Sequence, residues 1–178
     1  MLKTLQNIIK TGDATVKYPF APLKTAPNMR GKPEHDLERC IACAACAVAC
    51  PPNAIQMSTD LRKGTITWSI DYGRCIFCGR CEEVCPLEAI KLGSEFELAV
   101  MSKADLSETC TYRLQACSEC GLFFAPSKEV DYAARLLAKA ESGPGVPEAL
   151  ELMSVCPRCK RRADGLAAKR SADAQGGR

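Results

Sequence analysis

Eight cysteines fall between Cys40 and Cys85, and they come in two matching sets. The segment CIACAACAVACPPNAI (40–55) recurs without gaps as CIFCGRCEEVCPLEAI (75–90), with eight of sixteen positions identical. Each copy reads C-x2-C-x2-C-x3-C-P. Half identity around shared cysteines marks an internal duplication and predicts a pseudo-twofold arrangement in space. Thirteen cysteines in all is an odd number, so they cannot all pair as disulfides. The N-terminal MLKTLQNIIKTGDATVKYPF has no apolar run of the secretory type and no twin-arginine signal, so a reducing cytoplasm is expected. In that compartment clustered cysteines read as metal ligands.

Three thiols spaced by two residues can wrap a tight loop around three corners of a [4Fe–4S] cubane. The fourth follows on a helix that starts close by, and its side chain points away from that loop and reaches the other cluster. The proline after it fixes φ and turns the chain outward. This assigns one cluster, A, to Cys40, Cys43, Cys46 and Cys85, and a second, B, to Cys75, Cys78, Cys81 and Cys50. Small and apolar residues between the thiols allow close backbone approach, and backbone N–H groups there can tune the potential. Two separate zinc knuckles are the competing reading, but zinc sites are usually built from two Cys pairs. The C-x3-C-x2-C order of a radical-type cluster with an open iron is absent from both copies. No catalytic residue is therefore assigned.

Of the other five cysteines, CSECG (Cys117, Cys120) and CPRCK (Cys156, Cys159) form two C-x2-C pairs. Together they offer a four-thiolate site for one Zn²⁺ or one Fe, which spacing alone does not distinguish. A closed site of this kind staples a segment; a redox iron is the alternative. Cys110 is left over, as a buried thiol or an alternative ligand. His35, the single histidine, lies in the polar KPEHDLERC and reads as a surface residue. Net charge is +3, too small to argue for nucleic acid, and aromatics for base stacking are scarce at 6%. Arg158, Lys160, Arg161, Arg162, Lys169 and Arg170 read as a solvated basic tail. No apolar run approaches the ~18 residues of a membrane span.

Leu2, Leu5, Ile8 and Ile9 mark one face of a helix ending at Gly12. That strip packs either on the same chain or on a partner subunit. YPFAPLKTAPNMRGKP, with Pro19, Pro22, Pro27 and Pro33, should run extended along a surface. AIQMSTDLRKGTITWSI reads as a hairpin turning near Lys63–Gly64. EFELAV reads as a short strand, MSKADLSET as a polar connection or a helical turn, and 127–143 as a helix. A further short helix is expected from Pro147, and a frayed tail after Cys159. The fold class is α+β: a two-cluster ferredoxin-like core with a pseudo-twofold repeat, an extended N-terminal arm and a small rubredoxin- or zinc-ribbon-like extension. The expected boundaries are 1–36 for the helix and docking arm, 37–105 for the two-cluster domain, 106–162 for the four-Cys extension and 163–178 for a flexible tail.

CIFCGRCEEVCP, preceded by YPFAP, RGKP and RCIACAACAVACP and followed by AIKL and EFELAV, resembles the two-cluster ferredoxin subunit of respiratory complex I and its hydrogenase relatives. Beyond about residue 105 the two added C-x2-C pairs resemble the corresponding subunit of formate hydrogenlyase and other membrane-bound [NiFe] hydrogenases. The resemblance implies an electron-transfer subunit carrying two [4Fe–4S] clusters in the cytoplasmic arm of a membrane-anchored complex. Its implied partners are the hydrogenase small and large subunits, a formate dehydrogenase or second ferredoxin-like subunit as donor, and indirectly the membrane arm. A complex I subunit and a free two-cluster ferredoxin are the alternatives.

Overall fold

The computed structural model describes residues 2–12, 15–140 and 151–176. Helix α1 (Leu2–Thr11) forms as the apolar spacing requires and buries none of its residues. It ends at Gly12, whose φ of +57° carries the N–H back to the Ile8 carbonyl at 3.1 Å. The proline-rich stretch that follows is largely exposed, with Phe20 at 95% accessibility, but its extended course is broken by two turns, closed by Ala21 N donating to Lys17 O (2.9 Å) and Met29 N to Ala26 O (3.1 Å). Of the two readings for the apolar strip, packing on its own chain is not what the structure shows.

The core grows from two small antiparallel pairings. Strand β1 (Pro33–His35) pairs with β4 (Ile90–Leu92), and β2 (Ile55–Asp60) pairs with β3 (Thr65–Asp71). Their registers correspond under the 35-residue offset of the repeat: His35 faces Ile90, as Ile55 faces Ile70. Helices α2 (Ala45–Val48) and α3 (Arg80–Val84) each carry the third cysteine of their copy and end just short of the fourth. The hairpin turn 61–64 is held by the Asp60 carboxylate, which accepts from the N–H groups of Arg62 (2.9 Å) and Lys63 (3.1 Å).

Strand β5 (Ser107–Ala116) pairs along the whole of β3, and β6 (Phe123–Pro126) pairs with β5, giving the order β2-β3-β5-β6. The sheet therefore crosses residue 105, and the C-terminal extension begins as a continuation of the hairpin's sheet. Cys110, Tyr112 and Leu114 point one way along β5 while Thr111, Arg113 and Gln115 point the other. That alternation buries Tyr112 and Leu114. Trp68, Ile55, Ile70 and Ile90 are almost wholly buried and form one cluster with Ala42, Tyr72, Cys81 and Tyr112. A Lys32–Glu108 ion pair at 2.8 Å ties the approach to β1 onto β5.

Two of the expectations for the second half of the chain meet a different outcome. EFELAV forms no strand: it runs beside residues 31–32, accepting only from Lys32 N at Glu95 O (2.6 Å). A Cβ at Gly31 would collide with that carbonyl, so the approach is too close for a regular ladder. MSKADLSET closes a 3₁₀ turn at Lys103–Leu106, in keeping with the helical turn read for that connection. The tail after Cys159 is helical, α5 running Pro157–Gly176 with the proline at its first position. Its Ala, Leu, Lys and Arg are strong helix formers, so helix needs no buried face there. Helix α4 spans Ser127–Ala140; residues 141–143 and 147–150 of the expected helices lie outside the described residues, and 151–153 are helical.

Candidate metal centres

The structure gathers the eight repeat cysteines into two cavities, each drawing three thiols from one copy and one from the other. The first is lined by Cys40, Cys43, Cys46 and Cys85. The second is lined by Cys50, Cys75, Cys78 and Cys81.

The backbone makes this convergence possible. Ala42 and Phe77 have φ of 58° and 53°, Ala44 and Gly79 of 63° and 79°, Asn53 and Glu88 of 52° and 51°. Each pair is related by the repeat. Left-handed turns between the thiols fold three of them onto one centre, at a cost of ~1–2 kcal/mol per non-glycine residue. The same turns aim N–H groups at sulfur. Ala42 N donates to Cys40 Sγ and Phe77 N to Cys75 Sγ, both at 3.4 Å. Ala54 N donates to Cys50 Sγ at 3.2 Å and Ala89 N to Cys85 Sγ at 3.1 Å.

The residues present fit a [4Fe–4S] cluster in each cavity. The donor set is four thiols, the rest of the lining is mainly apolar, and backbone donors already point at the sulfurs. Burial pushes the Cys46 and Cys75 thiols up, and Cys81 up to about 11. Thiolates there require cations beside them, which iron supplies. A bound cluster of this type supplies reversible one-electron transfer.

The C-terminal four come together as well. The sulfurs of Cys117, Cys120, Cys156 and Cys159 all lie within 4.8 Å of one another. The Cys120–Cys156 separation is 3.8 Å. A tetrahedron with metal–sulfur bonds of about 2.3 Å has edges of roughly that length. Cys117 and Cys120 sit on the turn between β5 and β6, which Gly121 closes at φ +70°. Cys156 and Cys159 open α5, whose first turn replaces the glycine absent after CPRC through Lys160 N donating to Cys156 O at 3.1 Å. Cys156 N donates to Cys117 Sγ at 3.2 Å, and that contact lowers the Cys117 thiol to about 6. The Leu122 N–H lowers Cys120, whereas burial raises Cys159. The set suits Zn²⁺ and Fe alike.

Cys110 lines neither cluster cavity. It faces Trp68 across β3–β5 and packs on the core beside Tyr112. His35 corrects the sequence reading: it is half-buried in β1, stacked on Trp68 at 3.9 Å, and lines the first cavity. Burial lowers its pKa. Trp68, which sequence reasoning placed only in the hairpin, lines that cavity too.

Fold and site together define a two-cluster iron–sulfur protein: residues 39–89 match the 4Fe-4S dicluster domain family. The whole chain places it more narrowly. It is 46% identical to formate hydrogenlyase subunit 6 of Escherichia coli (strain K12) over 162 residues, 91% of this chain and 89% of that one. The chain belongs to the formate hydrogenlyase subunit 6 family. It is also 41% identical over 98 residues to the chloroplastic NAD(P)H-quinone oxidoreductase subunit I of Spinacia oleracea, covering 52% of this chain and 58% of that one. A chain of the archaeal membrane-bound sulfane sulfur reductase, a respiratory membrane complex, superposes with a TM-score of 0.44 at 32% identity, over 57% and 56% of the two chains. Among the described residues no helix is long and apolar enough to cross a membrane.

Proposed function

We propose that this chain is a one-electron relay between partner proteins in a membrane-bound complex of the formate hydrogenlyase type, and performs no bond chemistry itself. The observation that carries the reading is the pair of cavities, each lined by three cysteines of one copy and one of the other. Cluster A is held by Cys40, Cys43, Cys46 and Cys85, and cluster B by Cys50, Cys75, Cys78 and Cys81. The matched registers, left-handed turns and N–H···S contacts support a pseudo-twofold axis between them. Cross-ligation ties the two halves and keeps the clusters close enough for rapid transfer. Cys117, Cys120, Cys156 and Cys159 hold one structural Zn²⁺ or Fe that fastens α5 to the sheet.

The donor is a formate dehydrogenase module or a second ferredoxin-like subunit, and the acceptor is the small subunit leading to a [NiFe] site. The chain sits peripherally on the cytoplasmic side, with residues 1–36 as docking arm; its exposed α1 and Phe20 support that role. The likeness to quinone oxidoreductase subunit I supports a complex I-type reading for the two-cluster half only. Anaerobic purification from the native source tests the proposal. About eight irons and eight acid-labile sulfides per chain, one further metal, and co-purifying hydrogenase subunits are expected. Zinc without sulfide, or a lone chain on size exclusion, overturns it.

A further inference from the structure

The two cluster cavities are built from corresponding residues, which makes the chemical differences between them legible. The first is lined by His35 and Trp68. The repeat offset places Ile70 and Pro33 at the equivalent positions of the second. An imidazole and an indole N–H on one side thus answer to two groups without a donor on the other. Strand β5 adds a third polar group to the first side only: the Tyr112 hydroxyl lies beside the sulfurs of Cys40 and Cys110.

Three buried side-chain nitrogen or oxygen atoms lack a hydrogen-bond partner among the described residues: His35 Nδ1, Trp68 Nε1 and Tyr112 OH. All three belong to this one side. The indole N–H faces the Cys46 sulfur without closing a bond. A buried donor left unmatched forfeits its hydration without replacement, so native structures rarely keep several together without an acceptor. Cluster sulfur is that acceptor. The Tyr112 hydroxyl has the Cys110 sulfur as a competing neighbour, but a charged cluster thiolate attracts the proton more strongly. On the second side the Tyr72 hydroxyl already donates to the carbonyl of Pro33, a lining residue of that cavity, at 3.1 Å.

We propose that Trp68 and Tyr112 donate hydrogen bonds to the sulfurs of cluster A alone, with His35 holding the indole in place, and that they make A the higher-potential cluster where the first electron rests. The inference rests on the cluster reading above. Donors to sulfur favour the reduced, more negative cluster, so they raise its potential. The opposing influence at B is cationic: Arg30 donates to the Cys78 carbonyl at 2.8 Å, Arg74 to the Pro52 carbonyl at 3.2 Å, and Arg80 pairs with Glu83 at 2.7 Å. All three arginines are exposed, where water and salt screen their charge. The indole and phenol dipoles act from the interior, unscreened. His35 is a positioning residue, acting through its stack on Trp68.

The test is an EPR-monitored redox titration of the full chain purified anaerobically with its clusters. The wild type should reduce in two steps. Trp68→Phe and Tyr112→Phe should each move the upper step to lower potential and leave the lower step in place. Tyr72→Phe, which deletes a hydroxyl already satisfied by a carbonyl, should move neither. Iron and sulfide counts accompany each variant; should Trp68→Phe lose iron, Tyr112→Phe, which removes one oxygen, decides. Steps that stay fixed with full iron, or a shift in the lower step, overturn this proposal alone. A wild type without iron–sulfur signals overturns the cluster reading with it.

Discussion

Ala44 and Gly79 occupy the same place in the two copies, and both are left-handed, at φ 63° and 79°. Only one of them is a glycine. A Cβ at Gly79 would meet no protein atom closer than 3.8 Å, so the penalty that the chain itself sets on Gly79→Ala is backbone conformation. We expect Gly79→Ala to destabilise the loaded protein by about 1 kcal/mol, and Ala44→Gly to stabilise it by a similar amount. The rate at which visible cluster absorbance bleaches on heating measures both, and the two changes should have opposite signs. A second expectation at this scale concerns Cys85. Its N–H···S partner, Ala89, belongs to the second copy, but its thiol lines the cavity of the first. Cys85→Ser should halve the iron content to about four and spare the signal of the Cys75 cluster; the opposite pattern would refute cross-ligation. The eight cysteines were legible because their spacing is periodic and chemically restrictive. The environment of His35 was not, since a histidine among polar neighbours carries no mark of the indole that stacks on it from 33 residues downstream.

Among the elements, the hairpin was the easiest to see and β5 the hardest. Asp60, Lys63 and Gly64 give the turn a local signature. The run SETCTYRLQA carries a period of two at Cys110, Tyr112 and Leu114, but charged and polar residues break it. What makes it a strand is the whole length of β3 alongside. Gly64 joins these elements: it has φ +64°, and the Phe123 ring from β6 closes over it. Gly64→Ala combines a left-handed cost with displacement of that ring. About 1–3 kcal/mol of destabilisation is expected, read as faster hydrogen exchange in β5 and β6 than in β1 and β4. Uniform acceleration across both sheets would contradict that assignment. EFELAV shows the converse failure: β-favouring residues form no ladder where Gly31 and Glu95 crowd together.

At the scale of the whole molecule, two centres of different kinds share one sheet. The paired-cluster core closes on itself through crossed cysteines, whereas α5 is held to the sheet by the four-thiolate set and by Ser118 and Ser154, whose hydroxyls lie 3.0 Å apart. Helix α5 buries only its first cysteines, Cys156 of the preceding turn and Cys159, and little beyond. Cys159→Ser, or removal of that metal by a chelator, should therefore release α5 to proteolysis within the chain's last twenty residues. The cluster absorbance should persist. Loss of both together would show that the two centres fold as one unit.

The sequence by itself determined the ligands' number, spacing and chemistry, because metal coordination constrains residue type and separation more tightly than packing does. The duplicated motif also carried the 35-residue offset, and with it the correspondence of strands and turns in the two halves. Only the tertiary structure decided what surrounds each centre. His35, Trp68, Cys110 and Tyr112 come from three strands whose adjacency depends on β1 meeting β4 and β5 meeting β3. Side-chain surroundings are set by long-range pairing, which no local pattern records. Two copies of one motif thus hold chemically equivalent thiols in unequal settings.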